Sequence, residues 1–250
     1  MRHKFILSKM RKERPLTRDS KLSMHVPETK WLRASNLTSM LKKYTTLYVK
    51  PDKGSSGRGI IRIKRLSDTM CIISSKKGAV RCAINDAIRV IKKRMMPNQK
   101  YIVQQGISLA TYRGRPFDFR VVLQYTDNKW NLTWMSAKVA SKKNAVVTNV
   151  AQGAKDKKIE PTISGADQSF QTDKVMSELK ALSYRIARKL GALFPVGILG
   201  LDMCIDKKGK IWFIEANTNP NFHGLRKLDP VQYKRYLIAK RKMKKSGMIN

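Results

Sequence analysis

Asp202, Glu215 and Asn217 are the residues of this 250-residue chain whose types and spacing most directly offer chemistry. They lie in GLDMCID and WFIEANT, segments that read as apolar strands, where an oxygen-bearing side chain is costly without a partner. If the two segments pair as a hairpin, period-2 alternation puts Glu215 and Asn217 on one face, and Asp202 can join them from the neighbouring strand. Two carboxylates and an amide oxygen suit Mg²⁺, which prefers hard oxygen ligands and keeps substrate phosphates in its shell; Mn²⁺ would take the same donors. The competing reading is that Asp202 and Glu215 pair with nearby Lys or Arg, and the pattern alone weighs the two evenly.

A second chemistry lies in the stretch PDKGSSGRG, residues 51 to 59. Gly54, Gly57 and Gly59, with Ser55 and Ser56, can close backbone N–H groups and hydroxyls over phosphate oxygens. The stretch is neither GxxxxGK[ST] nor GxGxxG, and a plain hairpin turn would use the same residues for steric reasons. Lys50 ends an otherwise apolar strand, where a cation wants an anion. Asp118 and Arg120 share a strand face, and Lys138 stands on the partner strand. They form an internal ion pair, or leave one cation to stabilise a transferring phosphoryl group or a developing oxyanion. His3, His25 and His223 are scattered and no Ser or Cys has a nucleophile context, so covalent catalysis has no support.

These residues need particular elements to hold them. TLYVK and RGIIRIK predict strands flanking the glycine-rich loop, with a short helix before them from Asn36, as its cap, through Lys43. MCIISS reads as a strand, Ala83 to Arg94 as a helix stopped by Pro97, and YIVQQ as a buried strand. DFRVVLQYT and WNLTWMSAKVA predict two long antiparallel strands turning at Asp127-Asn128. Residues 141 to 171 read as a long functional loop. Thr172 is expected to cap a helix with Val175, Leu179, Leu182, Ile186 and Leu190 on one face, ended by Gly191. Lys207-Lys208-Gly209 would turn the last hairpin, and Asp229-Pro230 would open a final helix. The expected organisation is a basic N-terminal extended arm over 1–25, a main domain over 26–228 and a basic C-terminal helix or tail over 229–250.

Lys plus Arg number 53 against 17 Asp plus Glu, a net +36 that implies an acidic partner: an acidic peptide, an anionic polymer, nucleic acid or an anionic membrane surface. Hydrophobic residues at 42% still suffice for a packed interior, which excludes global disorder. Cys71, Cys82 and Cys204 lack metal or disulfide spacing, which fits a reducing cytoplasm. No run approaches the roughly 18 apolar residues that suggest a transmembrane segment.

Taken in order, YVKPDKGSSGRGI, YIVQQGI, FDFRVVLQ, TNVAQGA and GLDMCID…IWFIEANTNPN resemble the ATP-grasp superfamily, in particular the YheC/YheD group of endospore coat-associated proteins. The resemblance runs from about residue 26 to about residue 225. It implies an α+β (α/β) ATP-grasp fold: two lobes with mainly antiparallel sheets enclosing the nucleotide, the smaller about 45–105 and the larger about 106–228. A full N-terminal domain ahead of the grasp is expected to be missing. The resemblance makes Lys50, Gly54, Ser55, Ser56, Gly57 and Gly59 ATP phosphate ligands, and Gln104, Gln105, Gly106 and Ile107 the hinge whose backbone reads adenine. It makes Asp202, Glu215 and Asn217 the Mg²⁺ ligands and Arg120 and Lys138 the catalytic cations, with Asn149 and Gly153 in an acceptor or phosphate loop.

The implied activity is that of an ATP- and Mg²⁺-dependent carboxylate-amine or thiol ligase working through an acyl phosphate. Its acceptor would be large and acidic, steered by the basic arm and tail. Two other classes are weighed beside it: a nucleotide-binding structural protein of a spore or particle without turnover, and a basic nucleic-acid-binding protein. Against the last, aromatics interleave poorly with Lys and Arg outside Tyr233 and Tyr236.

Overall fold

The computed structural model describes all residues except 1, 144, 149, 221–223 and 250, so the expected positions Asn149 and His223 lie outside the described residues. The chain divides into two compact units, Pro27–Ser108 and, from two separate segments, Met1–Val26 with Leu109–Asn250. The second unit begins with a helix, α1 (Lys9–Thr17), where an extended arm was expected. Ser8 Oγ accepts from the Arg11 N–H at 3.1 Å as its N-cap, and the fully buried Leu16 anchors it beside partly polar surroundings. With so few apolar anchors the helical period is weak in sequence.

Unit Pro27–Ser108 is one six-stranded antiparallel sheet. Its order is β1 (Thr29–Trp31), β6 (Tyr101–Gln105), β2 (Thr46–Pro51), β3 (Ile61–Arg65), β4 (Met70–Ser75) and β5 (Gly78–Ala83). Leu47 and Val49 of β2, Ile61 and Ile63 of β3 and Ile73 of β4 alternate inward. They pack with Leu37, Met40 and Leu41 of α2 (Ala34–Lys43) and with Ala87 and Ile91 of α3 (Ala87–Lys92). The expected Asn36 cap differs: Arg33 holds the N-cap position, and Asn36 Nδ2 instead donates to the Trp31 carbonyl at 2.9 Å. The helix expected over Ala83 to Arg94 is shorter because Gly78–Ala83 pairs with β4 and Ile84–Asp86 makes a 3₁₀ turn first.

Just ahead of β1, the Glu28 carboxylate accepts from Lys43 Nζ at 2.6 Å and Tyr44 Oη at 2.7 Å, with Lys30 Nζ at 3.0 Å. The Lys43 bond first, then Tyr44 and Lys30, outweigh partial burial and hold its pKa down at about 2, against an ordinary 4.5. A depressed carboxylate stabilises the fold fully above the unfolded value and loses that contribution as pH falls through the folded one. With solvent reaching the cluster, the contribution is about 1 kcal/mol. Glu28→Gln should therefore be destabilised at neutral pH, with the gap to the native chain closing between pH 4.5 and about 2 in urea melts. A gap constant across that range would show that the cluster carries no stability.

The larger unit holds a sheet ordered β10 (Lys155–Lys157), β9 (Lys129–Val139), β8 (Arg115–Thr126), β11 (Ile198–Ile205) and β12 (Ile211–Asn217), with β7 (Thr111–Tyr112) on β8; every pairing is antiparallel. Asp127 and Asn128 take φ of 54° and 57°, the left-handed pair of a tight hairpin turn. Odd-numbered Phe117, Phe119, Val121 and Leu123 of β8 face a core closed by α5 (Thr172–Leu193), which presents Val175, Leu179, Leu182, Ile186 and Leu190. Gln171 rather than Thr172 holds the α5 N-cap position. Gly191 does not end the helix, which runs on to Leu193; a Cβ there would stand 2.7 Å from a Trp130 ring carbon, so close packing requires glycine. The long loop expected over 141 to 171 contains β10 and a short helix, α4 (Ile159–Ser164).

On the opposite, even-numbered face, Val122 and Trp134 pack under α7 (Pro230–Lys245), which follows the short α6 (Leu225–Leu228). Asp229 Oδ1 caps α7 by accepting from the Gln232 N–H at 3.0 Å, with Pro230 in the first turn. Gln232 also bonds both backbone groups of Met135, so the helix expected to form a tail is part of the unit. The same even-numbered face, beyond the reach of α7's core contacts, carries Asp118 and Arg120.

Candidate active site

Cross-strand register builds the larger unit's charged cluster. Glu215 of β12 pairs with Asp202 of β11, Asp202 with Arg120 of β8, and Arg120 with Ser136 of β9; Asp118 pairs with Lys138, and Lys138 with Asp156 of β10. Directly opposed residues share a face, so these seven polar side chains converge without any loop having to place them. Gly200 leaves the room: a Cβ there would meet Pro220 at 2.5 Å and Arg120 Nη1 at 3.2 Å.

Asp202 is the hub. Its Oδ1 accepts from Arg120 Nε at 2.9 Å and Lys138 Nζ at 2.8 Å, and its Oδ2 from Arg120 Nη2 at 3.3 Å and Asn217 Nδ2 at 3.2 Å. Lys138 Nζ also lies 3.0 Å from Asp118 Oδ1, Thr148 Oγ1 donates to Asp118 Oδ2, and Lys9 Nζ lies 3.6 Å from Glu215 Oε1. Burial pushes the Asp202 carboxyl up, but Arg120 and Lys138 overcome it and hold the group at about 2. Asp118 goes the other way: burial and the Asp202 charge outweigh Lys138 and lift it to about 6. Burial alone would lower Arg120 and Lys138, yet Asp202 and Asp118 raise both.

Both readings of these carboxylates meet here. Asp202 is paired with cations, and Asp202, Glu215 and Asn217 also stand together as an oxygen-bearing set. Among the described residues there is no group of three or more His, Cys, Asp or Glu poised around an ion. The donor set of two carboxylates and an amide nevertheless fits a hard divalent cation, provided the Asn217 amide turns its oxygen toward Asp202 in place of its N–H. Three cations already face these carboxylates, so such an ion is best accommodated together with phosphate charge rather than alone.

In the smaller unit, Lys50 Nζ is buried and donates to Gln104 Oε1 at 2.6 Å, and Gln104 Nε2 donates to Thr29 Oγ1 at 3.0 Å. The glycine loop leaves β2 with four left-handed residues, Gly54, Ser56, Gly57 and Gly59, at φ of 149°, 58°, 67° and 71°. Four positive-φ residues within six positions keep the loop off any regular ladder, and the Arg58 N–H donates to the Ser55 carbonyl at 3.2 Å. Gly59 allows no larger residue: its Cβ would lie 2.9 Å from Tyr101 Oη and 3.0 Å from Pro51. Ser55 and Ser56 are exposed at the loop tip.

The hinge differs from the sequence expectation at Gln104. Its backbone lies inside the sheet, opposite Thr29 on one side and Tyr48 on the other, and its buried side chain links Lys50 to Thr29. The N–H of Gln105 donates to Glu28 O at 2.9 Å and that of Gly106 to Thr46 O at 2.8 Å, leaving Ile107 as the residue beyond the ladder. Gly153, at φ 90°, donates its N–H to Val150 O at 2.9 Å in a short 3₁₀ turn. Thr148 and Lys9 were missed by sequence reading, since neither has a spacing relation to its partner. Ser136 had one, standing two residues before Lys138 on the same strand face.

Two antiparallel sheets with packed helices, one unit carrying a glycine loop after a lysine strand and the other a carboxylate-cation face, define an ATP-grasp fold. The chain belongs to the YheC/D-like ATP-grasp family, which it matches over residues 2–244. It is 27% identical over 216 residues to the endospore coat-associated protein YheD of Bacillus subtilis (strain 168), an alignment covering 79% of this chain and 47% of that protein. This chain thus spans about half the length of that relative. Among solved structures, the N5-carboxyaminoimidazole synthetase of Staphylococcus aureus complexed with ADP superposes with a TM-score of 0.58 at 12% identity, covering 94% of this chain and 52% of that one. The L-amino acid ligase of Bacillus licheniformis gives 0.54 at 13%, covering 93% and 46%. These likenesses concern the fold.

Proposed function

We propose that the chain is an ATP- and Mg²⁺-dependent carboxylate-amine ligase acting on a large acidic acceptor. The observation that carries the proposal is the convergence of Arg120 and Lys138 with Asp202, Glu215 and Asn217 on one sheet face, buried cations beside hard oxygen donors. In this reading Lys50 and the N–H groups of the glycine loop bind nucleotide phosphates, and the segment from Gln105 to Ile107 meets the adenine edge. Asp202, Glu215 and Asn217 hold Mg²⁺, which supplies countercharge to the phosphates. A substrate carboxylate oxygen attacks the γ-phosphorus, the bond to the ADP oxygen breaks, and ADP leaves. An amine then attacks the acyl carbon, the carbon–oxygen bond to phosphate breaks, and the amine proton passes to solvent.

Arg120 and Lys138 neutralise the phosphoryl oxygens and the oxyanion of the second step, where fixed cations in a dry site act with least reorganisation. The names of the solved neighbours support the ligase class, and the +36 charge supports an anionic acceptor. The name of YheD supports an association with the endospore coat. No helix among the described residues is long and apolar enough to cross a membrane.

The test is release of ADP and phosphate from Mg²⁺-ATP across a panel of acidic peptides and polymers, run beside Glu215→Gln. Acceptor-dependent release in the native chain, lowered by about 10²-fold or more in the variant, is the expected result. ATP binding without release under any acceptor would replace the ligase reading with a structural one. Absence of ATP binding would sink both.

A further inference from the structure

We propose that the groove between α7 and the β8–β9 hairpin is a docking site for an acidic peptide segment bearing aliphatic side chains. The groove is an open cavity of about 500 Å³. Onto it α7 turns Val231, Lys234, Arg235, Ile238 and Lys242, which follow one another at helical spacing and form a single stripe. Val231 is 70% exposed and Ile238 46%, so two aliphatic side chains stand in water between three cations.

The stripe is not needed for packing, because α7 buries Tyr236, Ala239 and Met243 instead. Lys242 is held by Asp127 at 2.6 Å, whereas among the described residues no carboxylate lies within ion-pair distance of Lys234 or Arg235. Val231 and Ile238 line the same cavity as Lys234 and Arg235, so aliphatic and cationic groups present one surface. Carboxylates of an extended or helical peptide can meet Lys234 and Arg235 while its aliphatic side chains cover Val231 and Ile238. Nucleic acid is the poorer fit. Its bases want exposed aromatic faces, and the aromatic side chain lining the groove, Tyr184, is half-buried with its hydroxyl accepting from the Leu132 N–H at 3.2 Å.

The inference rests on the anionic-acceptor reading but concerns binding alone, so it is tested without nucleotide. A fluorescein-labelled peptide of Glu-Glu-Leu repeats is titrated with the full chain and followed by anisotropy. Polyglutamate and a single-stranded oligonucleotide of equal charge serve as comparison probes. The Glu-Glu-Leu peptide should bind about fivefold tighter than polyglutamate, the worth of one modest aliphatic contact. Val231→Ser with Ile238→Ser should remove that advantage and leave polyglutamate unchanged. Lys234→Ser with Arg235→Ser should weaken both peptides by about tenfold. Lys76→Ser with Lys77→Ser, which takes equal charge from the exposed β4–β5 turn, should change neither by more than about twofold. Equal affinity for all three probes, or equal losses from both lysine-bearing pairs, would reduce the groove to part of a general field. Tightest binding of the oligonucleotide would assign it to nucleic acid. Intact peptide binding beside absent ATP turnover would overturn the ligase reading and leave the groove standing.

Discussion

Arg120→Ala is expected to lower acceptor-dependent ADP release by about 10²- to 10³-fold while shifting ATP affinity by less than about threefold. Arg120 brings a planar fork to Asp202 from the neighbouring strand, with Nε and Nη2 both engaged. That leaves Nη1 aimed past Gly200, the residue whose missing side chain keeps the approach clear. A guanidinium held this way is worth most when charge develops on a phosphoryl oxygen, and little in ground-state binding. Arg120→Lys keeps the charge without the fork and should recover only part of the loss. The measurement is turnover set against nucleotide affinity by calorimetry for the native chain and both variants. Parallel losses in turnover and affinity would make Arg120 a ground-state binding residue.

Asp202→Ala should destabilise the larger unit by about 3–5 kcal/mol, because it takes from Arg120 its carboxylate partner and from Lys138 one of its two. Arg120 and Lys138 lie against the same carboxylate, and Asn217 loses its acceptor as well. Three of the four tryptophans, Trp130, Trp134 and Trp212, belong to this unit, so urea melts followed by tryptophan fluorescence are weighted toward it. The same pairing sets an acid limit. Asp202 titrates at about 2 against an ordinary 3.8, so its contribution is complete above 3.8 and disappears as pH falls through about 2. A midpoint shift equivalent to less than about 1 kcal/mol would mean that water already screens the cluster.

Much of the larger unit was legible because its signals are local. The Asp127-Asn128 turn, the Asp229-Pro230 helix start and the stripe from Val175 to Leu190 each need only neighbouring residues to be read. β1, β5, β7 and β10 were not legible. Gly78–Ala83, for instance, is largely exposed and owes its strand form to pairing with β4, which no local pattern announces. The same division runs through the site. Asp118, Arg120, Lys138, Asp202, Glu215 and Asn217 could be gathered by period-2 alternation on four strands, since register then brings them together. Thr148 and Lys9 reach the cluster from chain segments with no periodic relation to it. Gln104 was expected at the hinge, and its place inside the sheet depends on β1 lying beside β6, a pairing invisible in the sequence.

The larger unit is assembled from two stretches with the whole smaller unit between them. His3 lies at one extreme of this arrangement: its Nδ1 accepts from the Gly197 N–H at 3.0 Å, leaving Nε2 to donate to the Thr218 carbonyl at 2.7 Å. α1 likewise rests on α5 and β12. During synthesis the contiguous unit Pro27–Ser108 can therefore close its sheet while the ribosome is still translating the rest. The first helix meanwhile waits for α5 and then β12 to emerge. The two His3 contacts span 194 and 215 residues, so they form late and complete the larger unit.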